Sequence, residues 1–132
     1  MSRATILGAL FAIACGAPPP PNADQQQGTS ASPLEGTFEY VGTLKGQAIL
    51  ANGRFVFLYG PPDGSAPMTA DAGTYQIAGD SATGKNLYSA DTARVGVIYR
   101  WTAESWSGDT MAYVVMNDSG RVTGRGRALK LR

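Results

Sequence analysis

QAILANGRFVFLYG, residues Gln47 to Gly60, is the stretch that decides the fold class. Asn52-Gly53 is the preferred two-residue connection of a β-hairpin, because both positions of that turn need positive φ. Its flanks, Gln47–Ala51 and Arg54–Gly60, are runs of aliphatic and aromatic residues that suit a half-buried pleated surface. Two antiparallel strands are expected here.

The same texture continues on both sides. Thr37–Leu44 alternates Phe38, Tyr40, Gly42 and Leu44 against Thr37, Glu39, Val41 and Thr43. Gly73–Ala78 sets Tyr75 and Ile77 opposite Thr74 and Gln76, and Lys85–Ala90 is a shorter run. Arg94–Ala103 carries Val95, Val97, Tyr99 and Trp101 on one face, Thr110–Met116 is mostly apolar, and Arg121–Leu131 closes the chain. Clusters of Gly, Asn, Asp and Ser separate these runs, and no stretch sustains a 3.6-residue apolar period. The pattern predicts an all-β domain over residues 34–132, a small antiparallel up-and-down β-barrel of about eight strands. An even number of antiparallel strands can close and abolish its edges. An interior of that size is filled by side chains or holds one small ligand.

What precedes the domain is of another kind. In residues 1–14, Arg3 is followed by the apolar run Ala4–Ala14 and then by small residues before Cys15, the three parts of a secretory signal peptide. The run is about half the ~20 residues a spanning helix needs. Residues 15–33 hold four consecutive prolines, Pro18–Pro21, and then Gln- and Ser-rich sequence with Asp24 as the one charge. Such a segment buries too little apolar surface to offset its ordering entropy and reads as a flexible tether. Ala12-Ile13-Ala14-Cys15 resembles the lipobox of bacterial lipoproteins, with Ala12 where leucine is commoner. The resemblance implies lipidation of the Cys15 thiol, cleavage before it, and an envelope protein whose membrane partner is reached through the lipid. Gly16, rather than Asp, after the cysteine resembles the class sorted to the outer membrane.

Bulk charge and composition narrow the function classes. The full chain has 132 residues, 11 basic and 10 acidic, with one cysteine and no histidine. Loss of residues 1–14 removes Arg3 and leaves equal numbers of each sign, so no field attracts nucleic acid. A lone cysteine allows no intramolecular disulfide. Absence of histidine removes the usual general base of hydrolases and the commonest zinc ligand. Asp63, Asp71, Asp80, Asp91, Glu104 and Asp109 lie in or beside turn-like segments, where they read as turn formers. No calcium-loop spacing is present. The expectation is a protein that is not an enzyme and needs no cofactor or metal.

Leu34-Glu35-Gly36-Thr37-Phe38 resembles the Gly-x-Trp opening of lipocalins and related calycin barrels, with Phe38 in place of Trp. The basic last run, with Arg125 and Arg127, is similar to their closing strand. The resemblance implies that one of these arginines packs across the Phe38 ring and closes the barrel's base. It also implies binding of a small apolar or amphipathic ligand. Aromatic residues recurring at period two on successive strands read either as core or as pocket wall. Tyr40, Phe57, Tyr75, Tyr99, Trp101 and Tyr113 are the ligand-binding candidates, and Met68 is the natural plug of a lid formed by Gly60–Ala72. Along the last run Arg121, Arg125 and Arg127 share one face with Thr123, over Val122, Gly124, Gly126 and Ala128 on the other. Leu129 and Leu131 then fall on the arginine face, which suggests a bulge near Gly126. The leading function is non-catalytic binding in or at the mouth of the barrel. The alternative is a structural or protein-interaction module with a fully packed interior.

Overall fold

A computed structural model describes residues 31–132. Eight strands follow one another: β1 (Gly36–Val41), β2 (Lys45–Ala51), β3 (Arg54–Gly60), β4 (Thr69–Ala78), β5 (Ser81–Ser89), β6 (Ile98–Ser107), β7 (Thr110–Asn117) and β8 (Val122–Lys130). Each pairs antiparallel with the next, and β8 returns to β1, giving a closed up-and-down barrel. One 3-10 turn, Thr92–Arg94, interrupts the β5–β6 connection. The expected signal peptide, Cys15 and nearly all of the expected tether lie outside the described residues.

Turn chemistry makes the two ends of the barrel unlike. Asn52 and Gly53 both have positive φ, at 51° and 73°, as the expected hairpin requires. Two further tight hairpins turn on Gly79-Asp80 and Gly108-Asp109, with the glycine at φ 61° and 60°. All three lie at one end, where Leu34 is buried as well. The opposite end carries the longer connections, residues 61–68 and 90–97, with the shorter ones at 42–44 and 118–121. One end is therefore tied shut and the other is open.

Inside, large residues face small ones. Gly84 lies where an added Cβ would come within 2.5 Å of the Trp101 ring, and Gly126 where it would come within 2.5 Å of the Tyr113 hydroxyl. The glycines are thus the space that the aromatic rings occupy. Phe55 and Phe57 stack at 4.6 Å, and both meet Trp101 edge-on at 5.2 and 4.9 Å, filling the barrel's middle.

Several boundaries differ from those the residues suggested. β4 begins four residues before Gly73, so the open-end loop is shorter than the expected Gly60–Ala72. β6 begins at Ile98, because residues 92–94 coil under the Asp91 cap, whose carboxylate accepts the Ala93 N–H at 3.0 Å. Arg125 and Arg127 face outward and Gly124 and Gly126 inward in β8, as expected. The bulge, however, falls at Thr123 rather than Gly126, so Val122, expected inside, is turned outward, and Arg121 lies before the strand. Val115 faces Gly124, Met116 faces Val122, and the extra residue gives its hydroxyl to the Val115 carbonyl. The base is closed by Lys130 and not by Arg125 or Arg127. The β1–β8 register sets Phe38 opposite Lys130, whose ammonium stands 5.7 Å over the ring and donates to the Pro33 carbonyl at 2.9 Å. Arg125 and Arg127 fall on the outward parity, and Arg125 pairs with Glu104.

A Gly84→Ala substitution should lower stability by about 2 kcal/mol, because Trp101 is wedged against Phe55 and Phe57 and cannot retreat without strain. Gly124→Ala meets nothing nearer than the Val115 Cβ at 4.0 Å and should leave stability nearly unchanged. Urea unfolding of the two variants compares them directly. Equal midpoints would show that close packing at Gly84 contributes nothing.

Candidate functional site

The interior divides into two spaces. The lower is an apolar void of about 50 Å³ bounded by Leu34, Phe38, Leu50, Ala82 and Met111 among others. The upper, at the open end, is a cavity of about 410 Å³. Tyr40, Phe57, Trp101 and Tyr113 line both and form the floor between them. Tyr59, Tyr99 and Val115 build the wall above, with Gly124 leaving room on the β8 side.

Of the seven sequence candidates, five line the upper cavity: Tyr40, Phe57, Tyr99, Trp101 and Tyr113. Tyr75 is at the opposite end, where its hydroxyl donates to Glu35 at 2.7 Å. Met68 lies against Gly46 and Gly60 and borders neither space. No plug is formed by it.

A polar cluster, unforeseen in the sequence, occupies the cavity wall. Asp71 is only 2% exposed, although beside a loop it had read as a turn former. It lies inside β4, on the inward parity with Gly73 and Tyr75. The Arg94 guanidinium contacts its Oδ2 at 2.7 Å, Tyr59 donates to the same oxygen at 3.0 Å, and Ser89 donates to Oδ1. Both carboxylate oxygens are thus occupied. Arg94 reaches in from the 3-10 turn and is sandwiched by aromatic faces, 5.6 Å from the Tyr59 centroid and 5.5 Å from that of Tyr99. Asn86, 1% exposed, completes the group.

One irregularity makes this cluster. Opposite Ala72 and Gly73, β5 contains an extra residue, so Tyr88 pairs with Ala72 while Asn86 pairs with Gly73. Leu87 and Tyr88 are both turned outward, and Ser89 is brought beside Asp71. Tyr59 could have been found from sequence, since it continues the face of Phe55 and Phe57. Asn86 could have been found in the same way, since it continues the inward parity of Ala82 and Gly84. Ser89 could not, because a one-residue slip changes the face of everything beyond it, and Arg94 lies in a connection that has no strand parity.

Burial sets the protonation of the tyrosines. The Tyr40 hydroxyl is held far above the ordinary phenol range by burial first, then by Tyr113, Tyr59 and the Asp71 charge. Tyr59 is also raised, by burial first, against the opposing effect of Arg94. Tyr113 is pushed up to about 12 by burial alone. These groups remain neutral hydroxyls across the physiological range. Among the described residues no three His, Cys, Asp or Glu side chains gather as a metal site. Comparison of the chain with protein-family models, curated proteins and solved structures returns no match.

The raised Tyr113 value has a consequence for stability. Its contribution is fully present below the unfolded phenol pKa of ~10 and is lost as pH rises through about 12, since only the unfolded chain releases that proton in between. Denaturation midpoints should be level up to about pH 10 and then fall, with buried phenolate absorbance appearing only on unfolding. Phenolate formation by Tyr113 in the folded barrel near pH 10 would contradict the desolvated environment.

Proposed function

We propose that this chain is an exported, lipid-anchored envelope protein whose barrel binds a small amphipathic molecule at its open end without transforming it. The observation that carries the binding reading is the cavity of about 410 Å³, aromatic at its floor and polar on one wall. Its size is within the ~300–1,000 Å³ of small-molecule sites, and an apolar wall with few convergent polar groups is their common form. A non-catalytic role is supported by the commitment of Asp71 to Arg94, Tyr59 and Ser89, which gives this buried carboxylate a structural part in the wall. The anchor rests on Ala12-Ile13-Ala14-Cys15 and on the Pro-, Gln- and Ser-rich segment after it. Outer-membrane sorting rests on Gly16.

A contact role has an observation of its own. The outer face of β2–β5 presents Ile49, Val56, Leu58 and Tyr88, all exposed, and Ile49 is directly opposite Val56. Adjoining apolar side chains on an outer face favour protein contact. The lower half of the barrel is packed, as that reading expects, but the upper half is open, and the ligand reading accounts for it.

Gly124→Leu fills the upper cavity from a position where the added side chain meets open space. It should leave the unfolding free energy within about 0.5 kcal/mol of the parent while abolishing small-molecule retention, read by native mass spectrometry of the purified full chain. Retention of the same molecule by the filled variant would remove the cavity from the proposal. For the anchor, metabolic labelling with a radioactive fatty acid should mark the parent and not Cys15→Ser. Label persisting in the variant would exclude Cys15 as the acylated residue.

A further inference from the structure

The cavity's chemistry goes further than its volume. Resting on the ligand-binding reading above, we infer that the molecule it takes is uncharged and ring-bearing, and that it presents a carbonyl oxygen to Asn86 and Arg94.

Asn86 is fixed by its backbone. Its N–H donates to the Val97 carbonyl at 3.0 Å and its own carbonyl accepts from Gly96 at 2.7 Å. Held by that strap and by the bulge that follows it, the side chain stays at the cavity wall and 99% of the residue is removed from solvent. Its Nδ2 has no hydrogen-bond partner among the described residues. A buried amide donor left unpaired carries the full desolvation penalty of the group, so natural proteins seldom keep one without use. A second unpaired buried donor is the Nε of Arg94, a residue that lines the same cavity. Asp71 takes the Arg94 Nη2 and leaves that Nε without a partner. Two donors without acceptors call for an acceptor on the ligand.

Charge decides which acceptor. Arg94 is neutralised by Asp71, and Arg125 at the rim is neutralised by Glu104. A carboxylate ligand would bring a second anion next to Asp71 with no free cation to receive it, and would leave its hydration shell to do so. An ammonium ligand would meet the guanidinium, and Asp71, which already holds Arg94, Tyr59 and Ser89, would have to serve a second cation. A neutral carbonyl accepts from both donors at neither cost. The rings of Phe57, Tyr59, Tyr99 and Trp101 then suit a flat, ring-bearing body.

The test uses the full chain and three probes of one shape: naphthamide, naphthoate and methylnaphthalene. Binding is followed by Trp101 fluorescence and by the side-chain amide resonance of Asn86. Naphthamide should bind about tenfold or more tightly than either of the others, because a site built to hydrogen-bond a group rejects the analogue lacking it. It alone should shift the Asn86 amide resonance in the unaltered protein, a readout that needs no variant to fold. Asn86→Leu should erase the naphthamide advantage and leave methylnaphthalene unchanged. Equal binding of naphthamide and methylnaphthalene, with an unmoved Asn86 resonance, would overturn the inference while the cavity reading stands. Naphthoate as the tightest probe would overturn it too, in favour of an anionic ligand. Failure of all three to bind would bring down the cavity reading itself and this inference with it.

Discussion

Pairing of β1 with β8 is the constraint on which the rest of this structure depends. Once Phe38 faces Lys130 and Tyr40 faces Ala128, no strand edge remains, and the number of strands bounds the interior. Within that bound every large side chain needs a small one near it. Gly84 beneath Trp101 and Gly126 beside Tyr113 are the visible results. The tight hairpins at one end concentrate packing there, and the longer connections at the other leave room for a cavity. The division into a filled base and an open cup follows from where the short turns fall.

The cup is held by an ion pair that crosses the sequence. Asp71 on β4 and Arg94 in the β5–β6 connection are 2.7 Å apart, with one partner nearly fully buried. A buried carboxylate is unfavourable unless compensated, and here Arg94, Tyr59 and Ser89 supply the compensation together. The same contacts fix the connection over the cavity's edge, so a polar cluster in an apolar barrel serves to hold its rim. With all three aligned on Asp71, the Asn86 Nδ2 and the Arg94 Nε are left without partners among the described residues, and Asn86 and Arg94 both line the cavity.

Much of this was legible from local chemistry. Asn52-Gly53, Gly79-Asp80 and Gly108-Asp109 are turn dipeptides with an evident backbone requirement, and period two put Tyr40, Phe57, Tyr99, Trp101 and Tyr113 on inward faces. Where along the barrel an inward residue falls is another matter. Tyr75 shares the inward parity with the cavity residues yet belongs to the base, because strand direction and stagger place it near Glu35. Arg125 and Arg127 have the right composition for a closing strand, but their parity is outward, and Lys130 covers Phe38 instead.

By itself, the order of residues determined the strands, their antiparallel succession, the tight turns and the alternation of large and small inside, because each follows from contacts between near neighbours. It also determined the break in character between residues 1–33 and the barrel. Only the tertiary structure decided the polar wall. Ser89 reaches Asp71 through an extra residue at Leu87 and Arg94 reaches it through a docked turn, and neither leaves a periodic mark. A bulge costs little locally, yet it reverses the face of every residue after it. That reversal is settled by what lies across the barrel.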